Sequence, residues 1–442
     1  MGILYSMTEQ HKRHVVVGTI AMSLIPSVLI LEPPSAPTLK HVALYLSALI
    51  GYWGIVLMLW MYLLGTKSVT ALIFRDLAPV LRVHKWLGIY AIPMIFLHPL
   101  LVGLSYGANL LTFSILPSIA TQYDRHVLLG QIALWLLVII WVSSAILRSK
   151  LAFRPWKYIH YLAYVSIPFA LLHVPDLGSQ STTHVFVRGY LFVLMLTFFA
   201  ICILRLRSIL NLDKSTYTVA RHIQITKAGD YVLIARPADG SRPLRAPRRG
   251  QYVYIKLGFL SEDHPFSVTQ YDEDTGQLTL AYRLAGMYTK ELAKLQVGQS
   301  VHLSGPYGSF TDDLAETDTT PVVYLAGGIG ITPFVDRVMS ENDIREQWLF
   351  AANRSRETAV LLPQLKKELG DRCVAIYSAE QVPAANEEHG YITSTLLGKY
   401  LSDPTKYRYY LCGPPPMMQA CREALAELGV PPSQVRSETF GW

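Results

Sequence analysis

Four histidines fall in two pairs within apolar stretches of the sequence. His84 and His98 lie in HKWLGIYAIPMIFLHPLLV, and His160 and His173 lie in YIHYLAYVSIPFALLHV. Ionisable side chains are costly inside a membrane span and are usually functional there. A neutral imidazole on each side of an iron is the ligand set of a bis-histidine haem. These residue types indicate iron ligation, with hydrogen bonding between helices as the structural alternative.

The spacing within each pair predicts the depth of the histidines in a membrane. Fourteen and thirteen residues correspond to about 21 and 20 Å along a helix, which is much of the thickness of a bilayer. If the two helices run in the same direction, His84 and His160 lie near the inner face, and His98 and His173 lie near the outer face. Two levels of ligands predict two haems, which would divide the roughly 30 Å of hydrocarbon that an electron must cross.

In an ideal helix the two histidines of the first pair lie on nearly the same face, whereas those of the second pair do not. Fourteen residues end within about 40° of whole turns, whereas thirteen miss by about 140°. Pro93 and Pro168 each stand five residues before the outer histidine. Because proline bends a helix, we expect these prolines to re-aim His98 and His173.

The composition is typical of a membrane protein that also carries a soluble part. Hydrophobic residues make up 51% of the 442 residues and charged residues 16%. Six stretches are long and apolar enough to predict membrane spans, the first being a retained anchor rather than a cleaved signal peptide. The predicted spans are 14–31, 41–64, 86–105, 126–147, 158–174 and 184–204.

Loop charges predict the orientation. The two loops that follow spans two and four are rich in lysine and arginine, which favours the cytoplasmic side for both of them. These residues are Lys67, Arg75, Arg82, Lys85, Arg148, Lys150, Arg154 and Lys157. Both termini are therefore expected in the cytoplasm, with the chain in the plasma (inner) membrane. The net charge of +7 reflects this pattern and does not indicate nucleic acid as a partner.

The four cysteines argue against several kinds of site. Cys202, Cys373, Cys412 and Cys421 form no CxxC or CxxCH motif. A disulfide framework, a zinc site and a covalently attached c-type haem are therefore poorly supported.

After about residue 207 the pattern changes from long apolar stretches to short strands. Alternating strands separated by Gly-, Asp- and Pro-rich turns predict a small antiparallel barrel over about 216–311. From residue 321, strands alternate with helices, which is typical of a doubly wound α/β domain. We thus predict a multidomain chain: a six-helix transmembrane haem domain (1–210), an antiparallel β-barrel (211–318) and an α/β domain (319–442).

One glycine-rich turn stands at a strand–helix junction in the α/β region. In YLAGGIGITPF, Gly327, Gly328 and Gly330 would let the backbone approach a pyrophosphate, and Thr332 and Pro333 begin a helix. A tight turn without a ligand is the alternative. Four further motifs surround it in order: HPFSVT, RLAGMYTKEL, GPYGSF and CGPPPMM, followed by the terminal SETFGW.

In this order the motifs resemble the ferredoxin–NADP reductase family from about residue 211 onward. The whole chain resembles the ferric reductase / NADPH oxidase superfamily, whose transmembrane domain carries two haems. The resemblance implies FAD, two haem b groups and NADPH as cofactors, with NADH as an alternative. It also implies that the barrel is the FAD domain and the α/β domain the NADPH domain.

The resemblance implies roles for the barrel motifs. His264 would contact an FAD phosphate, although soluble relatives usually have arginine there. Pro265 and Phe266 would flank the isoalloxazine, Ser267 would lie near flavin N5, and Val268 and Thr269 complete this motif. The residues that match the FAD pyrophosphate stretch are Arg283, Gly286 and Thr289.

The resemblance also implies roles near the C-terminus. Cys412, followed by Gly413, matches the cysteine beside the nicotinamide ring, and Glu438 matches the acidic residue that completes that site. Phe440 or Trp442 would cover the flavin and be displaced by nicotinamide. Read singly, Ser267 is an ordinary strand serine, Cys412 a small buried hydrophobe and Trp442 a packed terminus.

The preference for NADPH depends on the loop NRSRET. No acidic residue ends the strand before it, and Arg354, Ser355 and Arg356 would hold a 2′-phosphate. A solvated loop is the alternative for these residues.

The electron path implied by the resemblance runs from NADPH through FAD and two haems to an acceptor outside. Oxygen, giving superoxide, is the favoured acceptor; a ferric chelate or a periplasmic protein are the alternatives. No sequence feature requires an obligate protein partner. A different class, a membrane receptor or transporter with a flavoprotein-derived sensor, is less favoured because neither inverted repeats nor broken helices are evident.

Overall fold

The computed structural model describes residues 9–36, 38–71, 73–74, 76–107, 117–177, 184–259, 261–314, 318–340, 343–381 and 386–438. The chain divides into two compact units, Met1–Arg207 and Ser208–Trp442. The boundary at residues 318 and 319, between the predicted FAD and NADPH domains, stays a prediction.

Helices are the only regular secondary structure among the described residues of the first unit. Its helices are α1 Glu9–Ser23, α2 Ile25–Ile30, α3 Leu39–Leu64, α4 Lys67–Thr70, α5 Ala78–Trp86, α6 Ile92–Ile95, α7 Leu97–Tyr106, α8 Gln122–Trp141, α9 Phe153–Tyr161, α10 Ala163–Leu177 and α11 Val185–Ile209. Leu87–Ala91 and Val142–Ile146 are π-helical turns. Short π-helical segments inside helices are frequent at functional sites, and the first of these lies between His84 and His98.

Five helical segments of the described chain are long and apolar enough to cross a membrane: His11–Ile30, Leu39–Leu64, Ala78–Tyr106, Gln122–Ile146 and Val185–Ile209. They coincide with five of the six predicted spans. The remaining prediction, 158–174, falls on two shorter helices, α9 and α10, so six unbroken spans are not confirmed.

The interruption of this fifth segment lies at Leu162 and not at Pro168. Leu162 forms a turn between α9 and α10, whereas Pro168 is accommodated inside α10. The phase of about 140° that an ideal helix leaves between His160 and His173 is therefore resolved by a helix break next to His160. In the other histidine segment, Pro93 lies at the start of α6, directly after the π-helical turn Leu87–Ala91.

The second unit begins with a closed antiparallel barrel, as predicted. Its strands are β1 Ser215–Gln224, β2 Asp230–Pro237, β3 Tyr252–Lys256, β4 His264–Tyr271, β5 Leu278–Arg283 and β6 Ser300–Tyr307, in the order β1-β2-β5-β4-β3-β6. Helix α12, Met287–Leu292, connects β5 to β6. Inward-facing residues such as Val253, Leu278 and Leu280 are fully buried and form the barrel core.

A six-stranded parallel sheet follows the barrel. Its strands are β7 Val322–Gly327, β8 Gln347–Asn353, β9 Cys373–Tyr377, β10 Glu387–His389, β11 Arg408–Cys412 and β12 Val435–Glu438. Its helices are α13 Thr332–Val338, α14 Leu362–Leu369, α15 Ser394–Tyr400 and α16 Pro415–Glu427. The order β10-β9-β8-β7-β11-β12 reverses direction between β7 and β11, the point where doubly wound sheets bind ligands at the carboxyl ends of the strands.

Candidate functional site

The structure brings the four histidines of the first unit together in the two predicted pairs. The ring centres of His84 and His160 are 6.1 Å apart, and those of His98 and His173 are 6.3 Å apart. A metal held about 2 Å from one nitrogen of each imidazole would set the ring centres roughly 6 Å apart. Both pairs therefore have the separation that ligation of a shared iron requires.

Three of the four histidines use Nδ1 to hold their ring orientation. In each case the Nδ1–H group donates to a backbone carbonyl of a neighbouring helix. The distances are 3.0 Å from His84 to Met61, 2.8 Å from His98 to Ser47 and 2.8 Å from His173 to His126. A metal-ligating histidine characteristically donates its other N–H to such an acceptor, which leaves Nε2 for the metal. None of these Nε2 atoms has a hydrogen-bond partner among the described residues.

His160 is held differently, by side chains. Its Nδ1 lies 3.2 Å from the Ser144 hydroxyl oxygen, which also accepts the Trp156 indole N–H at 3.1 Å. The Trp156 ring stacks on His160 with centres 5.1 Å apart, and the Arg148 guanidinium lies 4.4 Å from the centre of the Trp156 ring. Ser144 belongs to the π-helical turn that ends the α8 segment. Neither Ser144 nor Trp156 was predicted from the sequence.

Two glycines leave space for histidine rings. A Cβ added to Gly130 would lie 2.5 Å from the Cε1 and Nδ1 atoms of His173. A Cβ added to Gly51 would lie 3.2 Å from Nδ1 of His98. Real Cβ atoms essentially never approach within 3.0 Å, so the His173 imidazole occupies space that only glycine provides, whereas His98 would have to shift by a few tenths of an ångström.

The spacing of these small residues matches the spacing of the histidines. Gly51 and Gly65 are fourteen residues apart on the segment that faces His98 and His84, and a Cβ on Gly65 would lie 3.7 Å from His84. Gly130 and Ser144 are also fourteen residues apart, and they contact His173 and His160. This repeated interval was present in the sequence and was the signal that could have identified the partner helices.

No group of three or more His, Cys, Asp or Glu side chains suited to a metal occurs in the described part of the chain. A bis-histidine site takes only two protein ligands, so it falls outside such a group. The donor set of each pair, two imidazoles with Nδ1 already occupied, fits haem iron.

In the second unit the motif HPFSVT forms β4. The His264 ring stacks on Tyr288 with centres 3.8 Å apart, and Phe266 lies 6.2 Å from the same tyrosine ring. Ser267 is buried, whereas Pro265 is partly exposed beside it. Tyr288, which the sequence analysis passed over inside RLAGMYTKEL, joins the two predicted FAD motifs through this stack.

The last two residues of the motif point elsewhere. The Val268 side chain is part of the barrel core, and the Thr269 hydroxyl donates to the Thr279 carbonyl at 2.9 Å. Their side chains therefore support the barrel, so a cofactor contact from them would come from the backbone.

The predicted pyrophosphate stretch opens α12. The Thr289 hydroxyl oxygen accepts the backbone N–H groups of Ala285 at 2.9 Å and Gly286 at 3.1 Å. No atom lies within 4 Å of a Cβ placed on Gly286, so the backbone there is open to an approaching group.

Arg283, at the end of β5, makes contacts with the barrel and with the α/β region. Its guanidinium donates to both carboxylate oxygens of Asp230, at 2.6 and 3.1 Å, and to the Thr358 carbonyl at 2.8 Å. A Cβ on Gly328 would lie 3.0 Å from Arg283 Nη1. The arginine thus borders the glycine-rich turn, where a cation fits an anionic cofactor.

We expect the change Arg283→Met to destabilise the protein by about 3 kcal/mol, because it leaves the fully buried Asp230 carboxylate without its cation. The thermal midpoint of the solubilised protein measures this effect. The double change Asp230→Asn/Arg283→Met should recover most of the midpoint while FAD affinity stays low. Equal FAD affinity in the double variant and the unmodified protein would show that Arg283 has only a structural role.

The glycine-rich turn after β7 packs directly against the turn after β11. A Cβ on Gly330 would lie 2.3 Å from the Cys412 carbonyl oxygen, and one on Gly327 would lie 2.4 Å from the Met417 sulfur. A Cβ on Gly413 would in turn lie 3.0 Å from the Gly327 backbone. These glycines allow two backbone turns to meet at the switch point. This packing between distant segments was not predicted from the sequence, which suggested either a pyrophosphate or a tight local turn.

The start of α13 continues this turn. The Thr332 hydroxyl donates to the Ile329 carbonyl at 3.0 Å, and Pro333 occupies the first turn of the helix. Both residues are buried, so they stabilise the turn and leave its backbone to face a ligand.

Cys412 is fully buried at the end of β11 and pairs in register with Glu438 of β12. Burial, with a further contribution from the Glu438 carboxylate, raises the pKa of the Cys412 thiol well above its usual range. The side chain therefore stays a neutral thiol and is suited to contact rather than to nucleophilic attack. The other predicted residues of this region, Phe440 and Trp442, lie outside the described residues.

In the loop after β8, the two arginines that were predicted to act together have different surroundings. Arg354 is exposed and has no ion-pair partner among the residues that the structure describes. Arg356 is bound by the Glu380 and Glu387 carboxylates, and Ser355 donates its backbone N–H to the Thr358 hydroxyl oxygen.

Two family profiles match the chain. The profile described as "Ferric reductase like transmembrane component" matches residues 50–171. This range contains three of the four paired histidines; His173 lies two residues beyond it. The profile described as "Oxidoreductase NAD-binding domain" matches residues 324–423, from β7 through most of α16.

Curated relatives match about half of the chain. The electron transfer subunit of dihydroorotate dehydrogenase B (NAD(+)) from Fusobacterium nucleatum is 25% identical over 216 residues, 48% of this chain and 80% of that protein. A flavohemoprotein from Bordetella pertussis is 32% identical over 230 residues, which cover 46% of this chain and 55% of the flavohemoprotein. The chain thus spans little more than half of that relative.

A solved structure also aligns with about half of the chain. It is the flavohem-like FAD/NAD binding domain of a nitric oxide dioxygenase from Vibrio cholerae, with 23% identity and a TM-score of 0.45, covering 52% of this chain and 100% of that one.

The two matched profiles support an oxidoreductase that carries a NAD-binding domain and a ferric-reductase-like transmembrane component. The chain joins a ferric-reductase-like transmembrane component to a FAD/NAD-binding, ferredoxin-reductase-like domain, and this combination is consistent with the ferric reductase / NADPH oxidase superfamily.

Proposed function

We propose that the protein carries electrons from NAD(P)H through FAD and two b-type haems across the plasma membrane to molecular oxygen, which leaves as superoxide. The observation that carries the proposal is the presence of two histidine pairs with ring centres 6.1 and 6.3 Å apart. Both termini lie on the cytoplasmic side in this proposal, in agreement with the loop charges.

The residues of the first unit would hold the two irons. His84 and His160 supply the ligands of one haem and His98 and His173 those of the other, each through Nε2. The Nδ1 contacts keep each ring in the tautomer and orientation that ligation requires. FAD, when bound, would supply the change from two-electron to one-electron chemistry: it would take one hydride, with its two electrons, from NAD(P)H, and the electrons would pass on singly, as haem iron requires.

The residues of the second unit would position the nucleotide and the flavin. Arg283 and the open backbone at Gly286 would bind the phosphates, and Ser267 would lie near the flavin. The Cys412 thiol, kept neutral by burial, would contact the nicotinamide, and Glu438 would complete that site. By the resemblance, Phe440 or Trp442, both outside the described residues, would cover the flavin and be displaced by nicotinamide.

A visible spectrum of the purified protein tests the proposal directly. We expect the Soret band of low-spin bis-histidine haem at two haems per chain, and bleaching of the flavin when NAD(P)H is added under argon. If the protein is expressed with an ample supply of haem and the purified protein shows no Soret band, the proposal is refuted and a receptor or transporter is favoured.

The changes His98→Ala and His173→Ala should each remove one haem, because a single imidazole remains at that level. Haem content should fall to about half, while reduction of the flavin by NAD(P)H continues, since no residue of the second unit is altered. Pyridine haemochrome analysis measures the haem content. Full external turnover after loss of that haem would contradict the proposed path.

Ferric reduction is the second candidate, favoured by the ferric-reductase-like match over residues 50–171. Reduction of cytochrome c that superoxide dismutase abolishes would identify oxygen as the acceptor. Reduction of a ferric chelate that continues without oxygen would identify iron instead.

A further inference from the structure

Arg356 lies where a doubly wound sheet distinguishes its two common coenzymes. It follows β8, the strand next to β7 of the glycine-rich turn, at the carboxyl edge of the sheet. In such sheets this region meets the adenosine ribose, where an arginine accommodates a 2′-phosphate and an acidic residue binds a free 2′-hydroxyl.

The contacts of Arg356 are already made within the protein. Its Nη1 atom donates to Glu380 at 3.0 Å, and its Nη2 atom donates to Glu387. The Arg356 backbone N–H donates to the second oxygen of Glu380, also at 3.0 Å. The guanidinium in addition lies 5.1 Å from the centre of the Tyr377 ring.

The charges of this cluster do not suit a phosphate. Arg356 contributes one positive charge, whereas Glu380 and Glu387 contribute two negative charges. The ammonium group of Lys366, 3.7 Å from a Glu387 carboxylate oxygen, offsets part of the Glu387 charge. A 2′-phosphate that reached Arg356 would have to displace a carboxylate and would lie beside like charge. Arg354 is the only arginine of this loop without an ion-pair partner among the described residues.

We propose that Glu380 is a specificity-determining residue: by occupying Arg356 it withholds that arginine from a 2′-phosphate, so that the protein uses NADH at least as well as NADPH. This inference rests on the proposed function, because it concerns the coenzyme of the same nucleotide site. Of the two arginines that the sequence suggested for binding a 2′-phosphate, the inference leaves only Arg354 available.

The change Glu380→Gln tests the inference in the full-length protein. Glutamine can still accept the Arg356 backbone N–H, so the loop conformation is retained, while Nη1 is released and one negative charge is lost. We expect the dissociation constant of NADP⁺, measured by calorimetry, to fall about tenfold and that of NAD⁺ to stay within twofold. The ratio of kcat/KM for NADPH to that for NADH should rise by the same factor.

Two matched variants separate this effect from a general change in charge. Glu368→Gln removes an exposed carboxylate from α14 in the same region and should leave both dissociation constants unchanged. The double change Arg356→Gln/Glu380→Gln should return NADP⁺ binding to that of the unmodified protein, because the released arginine is gone.

Three results would overturn the inference. One is an unmodified protein that binds NADP⁺ at least tenfold more tightly than NAD⁺, and another is an unchanged NADP⁺ affinity in Glu380→Gln while both coenzymes still bind. In either case the proposed function stands and only the role of Glu380 is lost. Failure of both coenzymes to bind the unmodified, FAD-loaded protein would refute the inference and the proposed function together.

Discussion

The change Gly130→Ala should reduce haem content from about two to about one per chain. The added Cβ would lie 2.5 Å from two atoms of the His173 ring, so the ring has to leave its position. Its Nδ1 contact with the His126 carbonyl, 2.8 Å long, would then be lost together with the orientation of Nε2. Pyridine haemochrome analysis and the spectrum of the reduced protein measure the result.

Two other glycines provide a graded comparison for this change. Gly51→Ala places its Cβ 3.2 Å from His98, so a smaller loss of haem is expected. Gly189→Ala, on α11, meets no atom within 4 Å and should retain the full haem content. Full haem content in Gly130→Ala would show that the His173 ring does not need this space.

Gly330→Ala should abolish most NAD(P)H oxidation while leaving the haem spectrum unchanged. Its Cβ would lie 2.3 Å from the Cys412 carbonyl oxygen and 2.9 Å from the Gly413 nitrogen. Both contacts are with backbone, so the turns after β7 and β11 would have to separate at the switch point. Overpacking of this kind costs about 1–3 kcal/mol, which corresponds to a loss of rate of about 5- to 150-fold if the nucleotide site bears the whole cost.

Stopped-flow reduction of the flavin by NAD(P)H measures this loss. Gly398→Ala is the matched control, because its Cβ would have its nearest neighbour at 3.9 Å in the same α/β region. A normal rate of flavin reduction in Gly330→Ala would mean that the distance between the two turns is not required for hydride transfer.

Much of the architecture was predictable because its signals are local in sequence. The alternating strands predicted the closed barrel, and the strand–helix alternation predicted the parallel sheet. The spacing of His84 with His98 and of His160 with His173 predicted which rings would meet, since both intervals reflect helical rise. Their roles as iron ligands stay a prediction.

Other features depend on contacts between distant segments and could not be read locally. Hydropathy averages over a window, so it did not detect the break at Leu162. Arg356 looked available because its carboxylate partners are 24 and 31 residues further along the chain. The packing role of Gly330 could not be predicted because its close neighbour, Cys412, is 82 residues further along the chain.

The anchors of the four imidazoles differ in how they respond to evolutionary change. Carbonyl oxygens of Ser47, Met61 and His126 belong to every amino acid, so no replacement at those positions deletes the acceptor. His160 instead depends on the hydroxyl of Ser144, which a single substitution can remove. One substitution can therefore remove the Nδ1 partner of His160, whereas the other three keep a backbone acceptor whatever residue supplies it; His98 would lose only its second Nδ1 contact, to the Ser47 hydroxyl at 2.9 Å.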